Sequence, residues 1–265
     1  MLQVTALLRP IRGAIRSALL IAGATALMSA PGEAQAPGYL NGAPLSYEVP
    51  PPPPKGSPVA EMDLTLARAL RAIPGSREED EAIADAQAYF PSDVIPRFNE
   101  AAHVQFTPKS RPIMFYMLSR ALPEAGRYLR HWKETYPRER PYVGDTSIKP
   151  CFERFLKQNE SYPSGHAENG MAAGLLIAEV NPEQRQALIA RGIRYGQNRV
   201  VCGVHYASDV FQGQLVGADY VARLLKDPSF RQDLDCARAE QRRAEQDDAR
   251  KTMEALPARC EALHL

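Results

Sequence analysis

From residue 62 to residue 225 the apolar side chains of this sequence recur at three- and four-residue intervals, and no run alternates singly as a strand requires. That pattern restricts the fold to packed helices, and prolines and glycines mark where each helix stops. Leu64, Ala67, Leu70, Ala72 and Ile73 form a first apolar stripe, closed by Pro74 and Gly75. Ser76, Arg77, Glu78 and Glu79 read as a capping box, with acids in the first turn of a second helix. That helix passes Ala82, Ala86 and Tyr89 and ends at Pro91. An apolar segment over residues 93–106 ends before Pro108. Residues 111–122 predict a helix, and after Pro123 residues 124–136 continue helical, with Lys133 near the end. Residues 167–180 are small and apolar, with Gly170 and Gly174 on one helical face, where a neighbour can come close. Asn181, Pro182 and Gln184 read as a fresh helix start. The last core helix covers about 206–225 and repeats the spacing with Gly213 and Gly217. The expectation is an all-α, single compact domain of antiparallel helices over residues 59–227.

The ends of the chain read differently. Arg9, Arg12 and Arg16 precede an apolar run at 17–28, far short of the ~20 residues that span a bilayer. Small residues follow, so residues 1–34 predict a secretory signal peptide cleaved after Ala34. Residues 35–58 read as a Pro-rich linker around the run Pro50 to Pro54. A plain spacer is the simplest reading; draping over the domain or binding a partner are the alternatives. Residues 228–265 are dense in Arg, Glu, Gln and Asp and predict a polar, solvated helical tail. The formal net charge is +1, so nothing global points to nucleic acid or a membrane surface.

Export would place the four cysteines in an oxidising compartment, where an even count favours disulfides. Cys151 and Cys202 lie near the chemically dense segments and Cys236 and Cys260 flank the tail, so they are expected to pair that way. No Cys or His spacing suggests zinc.

Two of the five histidines sit in segments crowded with other chemistry. His205 and Asp209 are four apart, on one side of a helical turn. A carboxylate on one ring nitrogen fixes the tautomer and leaves the other as an oriented nucleophile or base. Gly203 allows a turn that exposes the ring, and Arg199 supplies a planar fork for anion oxygens. A buried histidine capped by an aspartate reads equally well from this segment alone. Pro163, Ser164, Gly165 and His166 form a turn opening a helix, whose free amides and dipole favour an anion. Ser164 adds a hydroxyl donor, and His166 stands where it could protonate a leaving oxygen; a plain helix cap is the structural alternative. Lys133 and Arg140, taken alone, read as surface cations. His103, His131 and His264 read as structural or surface residues, and Trp132 and Tyr136 either line a substrate mouth or pack in the core.

Taken together, Lys133-x6-Arg140-Pro141, then Pro163 to His166, then Arg199-x5-His205-x3-Asp209 resemble the three-part signature of the type-2 phosphatidic acid phosphatase superfamily. Within it the chain looks like the exported, soluble bacterial class A non-specific acid phosphatases, over about residues 60–226. One departure is Asn198, where that family usually has serine before the arginine; a tuning effect is expected. The resemblance implies the helical fold of the PAP2 and vanadium haloperoxidase type. It further implies that His205 attacks phosphorus to form a phosphohistidine, that Asp209 holds His205, and that His166 protonates the leaving alcohol and then activates water. Lys133, Arg140, Arg199, Ser164 and the Gly165 amide would bind the phosphoryl oxygens, with no metal and no other cofactor. The implied substrates are small phosphate esters, the implied state a homodimer, and the implied location periplasmic or secreted. Catalysis would need His205 neutral and His166 protonated, which predicts a bell-shaped, acidic pH profile. Vanadate-dependent haloperoxidases share these motifs on longer chains, and related lipid phosphatases have spanning helices for which no segment after residue 34 is apolar enough. A phosphate-binding protein without turnover would not need His205, Asp209 and His166 intact.

Overall fold

The computed structural model describes residues 37–154, 156–248 and 255–264. The expected signal peptide and its cleavage position lie outside them. Among the described residues the fold is carried by α1 (Pro58–Ala69), α2 (Arg77–Ala86), α3 (Pro112–Thr135), α4 (Gly165–Val180), α5 (Arg185–Val201), α6 (Ala207–Leu224) and α7 (Pro228–Asp248), with shorter helical turns between them. The only extended pairing there is an isolated bridge between Arg138 and Glu160. The all-α class read from periodicity is what the chain adopts.

The small-residue spacing explains the centre of the fold. A methyl added at Gly174 of α4 would lie 2.7 Å from the Leu188 carbonyl oxygen of α5. One added at Gly213 of α6 would lie 2.2 Å from the carbonyl oxygen of Ser164, at the start of α4. Backbones in such contact tolerate no side chain between them, so α4 is held between α5 and α6. The Ser164 amide also donates to the Asp209 carbonyl at 3.0 Å. The two histidine-bearing segments are thus tied together through main chain.

Residues 112–135 form one helix that runs on through Pro123. A proline inside a helix costs about 3 kcal/mol; here Leu118, Ala121, Leu122 and Ala125 are buried on both sides of it, and that packing outweighs the break. Two expectations are corrected. Leu70 and Ile73 of the first apolar stripe are exposed, and beside the buried Ala67 and Ala72 of that stripe an acid, Asp63, is buried. The C-terminal helix is solvated on one face only. Phe230, Leu234 and Ala237 enter the main core, and the buried Glu240 accepts the Ile113 and Met114 amides at 2.9 and 3.1 Å. It thereby caps α3, whose Arg111 cap position offers no side-chain bond.

The Pro-rich segment drapes over the helices. The buried Glu124 carboxylate receives the amides of Tyr39, Leu40 and Asn41. Asp219 receives those of Ser46 and Tyr47, and the Tyr162 hydroxyl donates to the Pro50 carbonyl at 2.6 Å. Trp132 and Tyr136 stack on each other and pack with Tyr47 and Val49 of this segment, so they serve packing there. The cysteines pair as Cys151–Cys202 and Cys236–Cys260. The first bond fastens the loop after Pro141 to the end of α5, three residues before His205.

Glu168 of α4 is buried, and its Oε1 has no hydrogen-bond partner. Burial pushes this carboxyl well above the ordinary glutamate range. A folded-state pKa above the unfolded one costs stability once pH passes the unfolded value of about 4.3, and the cost grows as pH rises. Glu168→Gln is therefore expected to raise Tm at pH 7 and to change it little below about pH 4. Thermal unfolding across that range checks it, and equal shifts at both ends would contradict it.

Candidate active site

His205 follows the end of α5, where Gly203 adopts a left-handed φ of 73° that favours glycine. The turn places the imidazole, 3 % exposed, between an acid and a cation. Its Nδ1 lies 3.3 Å from Asp209 Oδ2, and its Nε2 lies 3.0 Å from Arg140 Nη1. A carboxylate can only accept and a guanidinium can only donate. Nδ1 therefore carries the proton and Nε2 presents its lone pair toward Arg140. Asp209 is fully buried and also receives the Ser161 hydroxyl at 2.6 Å, the Tyr206 amide at 2.8 Å and Arg138 Nη1 at 2.6 Å.

Around that nitrogen the chain gathers cations. Arg140 precedes a helical turn at Pro141–Gly144 and is fixed by the carbonyls of Lys157, Val204 and Glu160. Lys133, in the last turn of α3, shares the Glu160 carbonyl at 2.9 Å and reaches the Pro163 carbonyl at 2.7 Å. Burial, and then the Arg140 charge, lower its ammonium to about 8. Arg199 in the last turn of α5 has no exposed surface, and its Nε and Nη1 have no hydrogen-bond partner. Burial, and then Arg140, lower it to about 10, so it is still charged at neutral pH. A buried guanidinium with two unspent donors is costly unless an anion meets it.

Ser164 caps α4: its hydroxyl accepts the Ala167 amide at 3.3 Å, which leaves the hydroxyl proton to donate elsewhere. Gly165 is partly exposed, and its Cα side meets only Leu129. His166, in the first turn, stacks on Tyr195 and meets Tyr89 edge-on, while its Nε2 lies 3.2 Å from the Ala86 carbonyl at the end of α2. A cavity of about 500 Å³ opens beside Lys133 and Gly165, lined also by Leu129, Arg130, Lys157 and Glu160.

Both imidazoles titrate well below the ordinary histidine range. For His205 the causes are burial, then Arg140, Lys133 and Arg199. Those causes favour the neutral ring. For His166 they are burial, then Arg199 and His205. In the free site burial, and then the neighbouring cations, therefore favour a neutral His166 as well.

All eight residues singled out from the sequence, His205, His166, Asp209, Lys133, Arg140, Ser164, Gly165 and Arg199, fall in this one region. Ser161, Arg138 and Asp63, which complete the surroundings of Asp209, were not singled out. Asn198, the departure noted above, donates to Asp85 Oδ2 at 2.7 Å and to Glu81 Oε1 at 3.2 Å. Asp85 also binds Arg97 and Arg191. Asn198 thus secures the end of α2, whose Ala86 carbonyl holds His166.

Residues 113–231 match the family described as the PAP2 superfamily. The chain is 35 % identical over 197 residues to a non-specific acid phosphatase of Salmonella typhimurium, covering 73 % of this chain and 78 % of that protein. It is 33 % identical over 195 residues to one from Providencia stuartii, covering 72 % and 78 %. An acid phosphatase of Zymomonas mobilis is 32 % identical over 237 residues, 87 % of this chain and 89 % of that one. The chain belongs to the PAP2 superfamily.

Proposed function

We propose that this chain hydrolyses small phosphate monoesters through a covalent phosphohistidine on His205, without a metal ion. Its class, phosphoric monoester hydrolase, follows from family membership and from its identity to acid phosphatases over most of its length. The observation that carries the mechanism is the Nε2 lone pair of His205, fixed by Asp209 behind it and facing Arg140.

In the first step Nε2 bonds to phosphorus as the P–O ester bond breaks. Lys133, Arg140, Arg199, the Ser164 hydroxyl and the Gly165 amide stabilise the three phosphoryl oxygens, work that depends on positioned charge. The leaving oxygen takes a proton from His166. Because Nε2 of His166 is committed to the Ala86 carbonyl, Nδ1 is the nitrogen that exchanges it. In the second step water attacks phosphorus and gives its proton to His166. The P–N bond breaks, its electron pair returns to Nε2, and phosphate leaves.

The neutral free His166 changes the source of the first proton. A monoester has a second pKa of about 6, so below that pH the substrate arrives as a monoanion carrying the proton His166 lacks. Once its proton passes to His166, the dianion offsets the cations that kept the ring neutral. This gives the acidic optimum without a protonated resting histidine.

Action in the periplasm or outside the cell belongs to the same reading; it rests on the signal-like N-terminus and on the two disulfides. No described helix is long and apolar enough to cross a membrane. The homodimer is part of the reading as well.

The test is hydrolysis of a chromogenic aryl phosphate at pH 5 to 6. Turnover that withstands EDTA and is blocked by vanadate is the expected result. Loss of turnover with EDTA, restored by a divalent metal, would contradict the metal-free mechanism. Phosphate binding without turnover would contradict the enzyme.

A further inference from the structure

Arg138 stands two residues before Arg140, yet its guanidinium meets the far side of Asp209. Its Nη1 donates to Asp209 Oδ1 at 2.6 Å and to Ser208 Oγ at 2.8 Å, and its Nη2 donates to Asp63 Oδ2 at 2.9 Å. The guanidinium carbon lies 4.1 Å from the centroid of the Tyr206 ring. Asp63 comes from α1, outside the residues that match the family, and is 3 % exposed. It also accepts the Ser208 amide at 3.0 Å and the Ser208 hydroxyl, so it caps the first turn of α6, the turn that carries Asp209. This explains why α1 buries an acid where its sequence offers leucines.

Asp209 has no exposed surface, and burial works to protonate it, while Arg138 works hardest against that. A protonated Asp209 would hold the Nδ1 proton of His205 more weakly and could itself donate to Nδ1, so the lone pair at Nε2 would no longer be fixed. Several groups face Asp209. His205 and Tyr206 come from its own turn, and Ser161 and Tyr162 from the loop before α4. Lys133, Arg138 and Arg140 come from the end of α3 and beyond, and Asp63 lies behind Arg138. Among the described residues, Arg138 is the one full positive charge hydrogen-bonded to Asp209.

We propose that Arg138, itself held by Asp63, is a positioning residue for the reaction: the pair keeps Asp209 ionised and aligned on His205, so that Nε2 keeps the lone pair with which it attacks. This rests on the reading of His205 as nucleophile.

The experiment compares Arg138→Met, Arg138→Lys, Asp63→Asn and Asp209→Asn in the full chain, with an aryl phosphate as substrate and inorganic phosphate as inhibitor. Arg138→Met should lower kcat by about tenfold or more, as loss of a positioning partner commonly does, with KM and phosphate inhibition nearly unchanged. The acid limb of kcat/KM should move to higher pH, because without the cation Asp209 protonates sooner. Arg138→Lys should restore part of both effects, and Asp63→Asn should show a smaller shift of the same sign. With Asp209→Asn already present, Arg138→Met should cost little more.

A folded Arg138→Met protein with wild-type kcat and acid limb overturns the proposal. So does an undiminished loss in the Asp209→Asn background, or a rise in KM with kcat intact. If Arg138→Met does not fold, unmoved acid limbs in both Arg138→Lys and Asp63→Asn overturn it equally. An active His205→Ala protein would overturn the functional reading itself. An inactive one beside unaffected Arg138 variants would overturn this inference alone.

Discussion

His205→Ala is expected to lower kcat toward an aryl phosphate by about four orders of magnitude or more, the scale seen when a nucleophile is removed from a concerted site. Folding should survive. The imidazole is a modest volume at the end of a turn set by Gly203, and its lost partners, Asp209 and Arg140, keep Ser161, Arg138 and the carbonyls of Val204, Glu160 and Lys157. The variant should therefore still bind vanadate or phosphate through Lys133, Arg140 and Arg199 while failing to turn over. Measuring kcat beside inhibitor binding separates loss of chemistry from loss of the site. A variant that binds and turns over normally would remove His205 from the mechanism.

His166→Ala should divide the two half-reactions. An aryl leaving group departs without a strong acid, so phosphoryl transfer to His205 should persist. Activation of water has no substitute and should slow by about 10²- to 10⁴-fold, the usual range for general base catalysis. Phosphoenzyme should therefore accumulate, and an alkyl phosphate, whose oxygen needs the proton, should lose far more in kcat/KM than the aryl ester. The wild-type pH dependence carries a matching signature. Because His166 is neutral in the free site, the alkaline limb of kcat/KM should follow the second pKa of whichever ester is used, falling above about pH 6 for an alkyl phosphate. A limb fixed at one pH for esters of different acidity would instead assign it to an enzyme group.

The helical class was legible because apolar spacing needs no tertiary knowledge, and the eight site residues were legible because three short motifs keep their spacing through any loop between them. Other features depend on partners far along the chain. Pro123 reads locally as a breaker, yet the flanking Leu118, Leu122 and Ala125 are buried in one core with the elements around them. Glu240 sits in a stretch whose composition reads as solvated, and its reach to the Ile113 and Met114 amides, with Phe230, Leu234 and Ala237 in the core, shows why that helix folds back. Asp63 has no motif, since its partners Arg138 and Ser208 lie 75 and 145 residues away. A charged residue on the inward face of α1 was the one available signal, and the leucines beside it masked it. The protonation of His166 in the free site was not legible for a different reason. Sequence supplies the residues but not the joint field of Arg199, His205 and Arg140 at one buried ring.

The most direct test of the account is to quench the His166→Ala protein during turnover of a phosphorus-labelled aryl phosphate and to locate the label by peptide mapping under alkaline conditions, where a phosphoramidate survives. The account predicts near-stoichiometric label, lost in acid, on the peptide carrying His205, and no label once His205→Ala is added. Label on any other residue, or turnover with no covalent phosphoenzyme on any timescale, would contradict it.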